Sequence, residues 1–221
     1  MKIKIKKPVH IFFISLFFFS FGSTQRLERQ EFISERHSNG LKKLVNVFEG
    51  TGLNETLIGK YGFYDTGIKK FVELYKNNRK DGKSIYWYEN GNKEKEYNYL
   101  EGKLDGIQYE WHDGGQKLSE FSYKNDKLHG ESISWYKNGN EEEVYIYVDG
   151  ELNGFQSRWY KNGQKLGEGT FISGKENGLF THWFKNGLIK NKIKYENGIK
   201  TVERIYSLHQ NARQILVLLH Q

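Results

Sequence analysis

The sequence predicts an all-β fold: an elongated antiparallel meander of 24-residue β-hairpin repeats laid side by side as an open sheet. Three observations predict it. All five tryptophans, Trp87, Trp111, Trp135, Trp159 and Trp183, stand 24 residues apart, and Phe63 extends that column to six units in frame. Glycines keep the same period in two further columns. One holds Gly67, Gly91, Gly115, Gly139, Gly163 and Gly187; the other holds Gly82, Gly106, Gly130, Gly154 and Gly178. Within each unit apolar and polar residues alternate with a period of two, the pattern of a strand with one buried face. Self-similarity in several columns at once marks a repeat architecture.

The chain begins outside that frame. Residues 1–10 carry four lysines and no acid, and residues 11–21 are apolar apart from Ser15 and Ser20. A basic start, a short apolar run and the small residues Ser20, Gly22 and Ser23 are the parts of an export signal. Residues 1–22 are therefore expected to be removed near Gly22 or Ser23. The run falls short of the roughly 18–20 residues of a spanning helix, so a retained anchor is the weaker reading. With no cysteine in the chain, neither a lipid-modified lipobox nor a disulfide framework is available.

Residues 23–39 read as a polar, aperiodic lead-in. Residues 40–62 form a degenerate first unit, opened by the turn pair Asn39 and Gly40 and carrying a three-residue insertion within 50–60. Irregular terminal units are normal in a repeat array, where they cap an open end. From 63 to 198 the frame is unbroken. Residues 201–221 are a degenerate cap with Tyr206 and an apolar run at 215–219, read as a last edge strand in preference to a covering helix.

Each regular unit reads as two strands of about six residues. In one, Ile107, Tyr109 and Trp111 alternate with the polar Gln108 and Glu110; in the other, Tyr97 and Tyr99, Phe121 and Tyr123, or Tyr145 and Tyr147 take alternate places. A second aromatic column follows, with Tyr75, Tyr99, Tyr123, Tyr147, Phe171 and Tyr195. The pairs Asn90 and Gly91, Asn138 and Gly139, Asn162 and Gly163, and Asn186 and Gly187 predict type I′ hairpin turns. The other connection places Asn78, Gly102, Asp126, Gly150, Gly174 and Gly198 in one column, residue types that tolerate the left-handed region. Every connection is tight, so each unit adds one hairpin, about 9–10 Å, to the sheet.

Units of the form [Tyr/Phe]-x-x-Gly-Lys-x-x-Gly-x-x-x-x-Trp-Tyr-x-Asn-Gly resemble the bacterial variant of the MORN repeat, the type found in YwqK-like proteins often labelled antitoxins. The resemblance covers about 40–200. It implies an elongated antiparallel sheet serving in protein–protein contact, with membrane-lipid binding proposed for some arrays. The eukaryotic YEGEW opening is missing here, so lipid binding is not carried over.

The residues that define the repeat are expected to be structural. The tryptophans, with Tyr99, Tyr123 and Tyr147, fall on the same alternation as Ile107, Ile133 and Phe155, as a core would, in preference to an exposed carbohydrate platform; the glycine columns serve the turns. No cofactor or metal is expected: His112 replaces a tyrosine in its column, His129 lies in a turn, and His182 is three units from His112. Ser119, Ser122, Ser132 and Ser134 have no histidine beside them on the same face, so no catalytic residues are assigned. The chain has 34 basic and 27 acidic residues; four of the basic ones lie in the first 22, leaving 30 against 27, a net +3. Both signs are interspersed, with Glu141, Glu142 and Glu143 between Lys137 and Arg158, which excludes the one-signed stripe of a nucleic-acid surface. The expected function is that of an exported, non-enzymatic scaffold for protein–protein contact at the cell envelope. The alternatives are an antitoxin-like neutraliser of a partner toxin and a glycan-binding aromatic platform. The partner and its binding residues are not named by the sequence, and two sheet edges leave self-association through the ends open.

Overall fold

The structure, a computed structural model, describes residues 29–50 and 54–206; the expected signal at 1–22 and the apolar run at 215–219 lie outside them. The described residues form 17 strands in one sheet: β1 (Arg29–Arg36), β2 (Lys42–Glu49), β3 (Thr56–Phe63), β4 (Lys69–Lys76), β5 (Arg79–Trp87), β6 (Lys93–Leu100), β7 (Lys103–Leu104), β8 (Gly106–Trp111), β9 (Lys117–Lys124), β10 (Lys127–Trp135), β11 (Glu141–Val148), β12 (Glu151–Leu152), β13 (Gly154–Trp159), β14 (Lys165–Ile172), β15 (Lys175–Trp183), β16 (Ile189–Glu196) and β17 (Ile199–Ile205). The short β7 and β12 lie in line with β8 and β13, so β6 pairs with both β7 and β8, and β11 with both β12 and β13. Each rung pairs antiparallel with the next in the chain, from β1–β2 to β16–β17. The result is an open, single-layer meander.

Both ends of the array extend further than the periodicity suggests. Part of the polar lead-in is strand β1, paired with β2, and its loop is closed by His37 N–H to Leu41 O and Gly40 N–H to His37 O. At the other end β17 is an edge strand covering the start of the 201–221 cap. Most rungs are eight or nine residues long instead of six, because strands continue through the bulges that the glycine columns create.

The type I′ turns expected at the Asn-Gly pairs fall instead at the other set of connections, whose left-handed column is where the sequence placed it. At the Asn-Gly loops the hydrogen bonds run from Gly91 N–H to Tyr88 O and from Tyr88 N–H to Asn92 O, and only the glycine has positive φ. That is a three-residue loop ending in a left-handed glycine, not a two-residue type I′ turn. Positive φ at both central residues occurs on the opposite edge, at Asn77 and Asn78, Glu101 and Gly102, Asn125 and Asp126, Asp149 and Gly150, Ser173 and Gly174, and Asn197 and Gly198. Gly106 and its equivalents lie past these turns, in the bulges.

Register separates the two aromatic columns. Ile85 faces Glu96, and Glu96 faces Tyr109, so these share a side with Trp87 and Trp111; Ser84 faces Tyr97, and Gln108 faces Phe121, on the other side. The tryptophans therefore line one face, and Tyr99, Tyr123 and Tyr147 line the opposite one. A single buried face was expected, but the described residues form no second layer and cover neither face. The tryptophans are half-buried, and the buried apolar residues are few: Val45, Val47, Phe180 and Ile193. Burial falls instead on short or polar side chains roofed by their neighbours. Ser84 is buried, and Gln108, expected on the wet side, is 1% exposed. The Gln108 amide bridges a bulge, donating to Asn98 O and Gly106 O and accepting from Asn98 N–H at 2.6 Å. Rings also lie flat over glycine: a Cβ on Gly169 would come within 2.3 Å of the Phe180 ring.

Successive units are tied together along both edges. On the turn edge, backbone N–H groups of Gly102, Asp126, Gly150, Gly174 and Gly198 reach carbonyls of Lys80, Leu104, Leu128, Leu152 and Glu176 at 2.7–2.9 Å. On the loop edge, the hydroxyls of Tyr64, Tyr88, Tyr136 and Tyr160 donate to the carbonyls of Trp87, Trp111, Trp159 and Trp183 at 2.8–2.9 Å. The loop asparagines do two things. The Oδ1 of Asn90, Asn138 and Asn162 accepts from its own loop, while Nδ2 donates to the next loop at Asp113 O, Lys161 O and Lys185 O. This is why asparagine recurs there, although its φ is not the positive one a type I′ turn requires.

Candidate interaction surface

A one-layer sheet offers two faces, and the tryptophan face has the more regular chemistry. Each hairpin pairs its ring with a residue near the start of the next strand: Trp87 with Lys93, Trp111 with Lys117, Trp159 with Lys165. That lysine reaches not its own ring but the ring of the following unit. The Nζ of Lys69, Lys93, Lys117 and Lys165 lies 5.7, 5.4, 5.2 and 5.9 Å from the ring centroids of Trp87, Trp111, Trp135 and Trp183. A cation over an indole face within about 6 Å is attracted by the ring quadrupole. A carboxylate three residues on fixes the lysine: Lys93 bonds Glu96 at 2.6 Å, Lys117 bonds Glu120 at 2.9 Å, and Lys165 bonds Glu168. The buried Glu96 also takes Lys83 at 2.5 Å. Burial would raise the Glu96 carboxyl, but the hydrogen bonds from Lys83 and Lys93 outweigh it and hold it below its ordinary value.

One unit departs from the ladder. At the lysine position it has Glu141, paired across its hairpin with Trp135, and three residues on it has Val144 in place of the glutamate. Among the described residues no cation lies over Trp159. Exposed apolar residues adjoin it on the same face: Ile146 at 36% and Phe155 at 49%.

The tyrosine face carries polar clusters. Glu73 receives Tyr75 at 2.8 Å, Lys80 at 2.7 Å and Tyr86 at 2.6 Å. Burial works to raise its carboxyl, and these three donors together bring it below the usual range. Burial, then Glu73, pushes the Tyr75 phenol up to about 12. Further along, Tyr97 and Ser119 donate to Glu110, and burial followed by Glu110 raises the Tyr97 phenol. Between Phe121 and Tyr145 the small Ser132 and Ser134 leave a hollow of about 130 Å³ with Glu143 in its wall. A larger open groove of about 550 Å³, lined by Leu44, Phe63 and Phe71 among charged residues, lies near the N-terminal end. Among the described residues no three His, Asp or Glu side chains gather as a metal site.

The residues singled out in the sequence are thus dispersed as a lattice. The tryptophans line one face, Tyr99, Tyr123 and Tyr147 the other, Gly91 and its column the loop edge, and Gly106 and its column the bulges. What sequence reading passed over is the lysine column, whose readable signal is Lys69, Lys93, Lys117 and Lys165 at the repeat period with Glu141 in the gap.

The chain is similar to the family described as MORN repeat variant, which matches residues 80–101 and 104–125, two adjacent units of the array. No curated protein matches the chain.

Proposed function

We propose that this MORN-repeat protein is an exported, non-enzymatic scaffold that binds another protein at the cell envelope. The observation that carries the reading is the open sheet itself. Among the described residues nothing covers either of its faces, and apolar side chains such as Phe155, Leu179 and Ile107 stand 40–55% exposed in the regular part of the array. The family supports a repeat scaffold. The basic, then apolar, then small-residue start of the chain supports export. Side chains differ from unit to unit at equivalent places, as Glu110, Ser134, Arg158 and His182 do, which suits a surface that presents a distinct contact in each unit.

The test is capture of partners by the chain from Gln25 onwards out of envelope and cytosolic extracts of its source, read by mass spectrometry. One protein recovered in near-stoichiometric amount from the envelope supports the reading. A toxin recovered instead from the cytosol would make the protein a neutraliser. Recovery of cell-wall glycan alone would overturn protein binding.

A further inference from the structure

We propose that Trp159, with Glu141 and the adjoining Ile146 and Phe155, is the docking site for a Lys or Arg side chain presented by the protein partner from an otherwise apolar segment. The inference rests on the protein-binding reading and names its site. The protein itself displays the ligand four times: at Trp87, Trp111, Trp135 and Trp183 an internal lysine ammonium lies 5.2–5.9 Å from the ring centroid. Among the described residues no such cation lies over Trp159, and the residue from which it would come is a carboxylate.

The Glu141 side chain is exposed and makes no hydrogen bond or ion pair among the described residues. The two neighbouring cations are each paired with a carboxylate. Lys165, the hairpin partner of Trp159, is bonded to Glu168 and lies 5.9 Å from the ring centroids of both Phe155 and Trp183. Arg158 points to the other face and pairs with Glu143 at 3.1 Å. An incoming cation therefore meets an indole face and a free carboxylate, and the one ammonium on the flank, Lys165 over Phe155, is already paired with Glu168. Both contacts favour a cation and would repel an acidic side chain.

The apolar flank fixes the rest of the ligand. Val144 replaces the glutamate that would hold a lysine in place, and it faces Ser157 across β11 and β13. Beyond it Ile146 lies against the bulge at Gly154, where a Cβ would come within 3.0 Å of the Ile146 side chain. Phe155 follows at 49% exposure. A segment that sets its cation on Trp159 and runs along β11 towards the turn edge would bury these three side chains.

The probe is a short blocked peptide, Leu-Arg-Leu-Leu amide, and its control carries citrulline in place of arginine. Both are titrated at millimolar concentration into the protein with 15N-labelled tryptophan. The expected result is a saturable shift of the Trp159 indole resonance by the arginine peptide, at least about ten-fold weaker with citrulline, while the other four indoles stay still. Glu141→Lys, which restores the repeat residue, should abolish the response. Lys117→Glu should make Trp135 respond as a second site. Equal response at all five indoles, no response at Trp159, or a response that survives Glu141→Lys would overturn the proposal. So would a Trp159 that answers only after Arg213→Gln, which would make the chain's own C-terminal segment the occupant. Partner capture with Glu141→Lys separates the two levels: a protein retained by that variant leaves the scaffold reading standing and removes this site.

Discussion

Two adjacent junctions of the array depart from the repeat in opposite ways. Between the Trp111 and Trp135 units, the tyrosine that would reach the next carbonyl is His112, and the loop asparagine is Gly114. The imidazole falls short of the tyrosine hydroxyl's reach, and its Nε2 is buried with no partner. The loop-edge ties are replaced by one ion pair, Lys137 to Asp113 at 3.0 Å, with both side chains about two-thirds exposed. Between the Trp135 and Trp159 units every tie is present: Tyr136 to Trp159 O at 2.8 Å, and Asn138 and Asn140 to Lys161 O at 2.8 and 3.0 Å. What changes there is the tryptophan face, where Glu141 and Val144 stand in place of the lysine and glutamate of the other units. A departure that removes the loop-edge ties weakens the scaffold; one that keeps those ties and inverts a charge on the face alters what the scaffold presents.

The largest expected effect tests whether the tryptophan ladder holds units together. Trp135→Ala removes a half-buried ring and the seat of Lys117 at the weaker junction. It should cost about 2–3 kcal/mol by chemical denaturation, less than the roughly 3–5 of a fully buried aromatic. Trp159→Ala, on an uncovered ring, should cost less; a larger loss there would reverse the comparison. Next comes the intact tie. Tyr136→Phe leaves the Trp159 carbonyl without its donor and should cost about 1–2 kcal/mol, whereas His112→Phe, where no bond exists to lose, should not destabilise. Repair is smaller. His112→Tyr combined with Gly114→Asn restores both ties and should add about 0.5–1 kcal/mol; a Cβ at Gly114 meets only the mobile end of Gln116. The smallest effect belongs to the substitute ion pair: Asp113→Asn should leave the melting temperature unchanged, since exposed pairs contribute little.

Much of the fold was legible because a strict period carries it. The 24-residue columns marked the hairpins, and the left-handed positions at Asn78, Gly102 and Asp126 followed from residue type. Strand β1 was hidden by the three-residue insertion within 50–60, which breaks the frame, although His37 to Gly40 match Tyr88 to Gly91 in place. Burial was not legible for a different reason. Alternation says that a strand has two faces, not whether a second layer covers either, so Gln108 read as wet while it lies buried across a bulge. The Asn-Gly pairs misled because asparagine serves there through its amide, not through its backbone. The tyrosine-to-histidine change at 112 was visible, but its consequence depends on a hydroxyl meeting a carbonyl 23 residues away. The lysine ladder is likewise invisible within one unit, since Lys93 covers the tryptophan 18 residues on.

The comparison turns on Glu141, and one variant tests it most directly. In Glu141→Lys, the melting temperature and the capture of the partner are measured together. The account predicts a melting temperature equal to or above that of the parent, because the repeat lysine returns to Trp159, and loss of the captured protein. A lowered melting temperature with capture intact would show that Glu141 serves the structure and not recognition, and would contradict it.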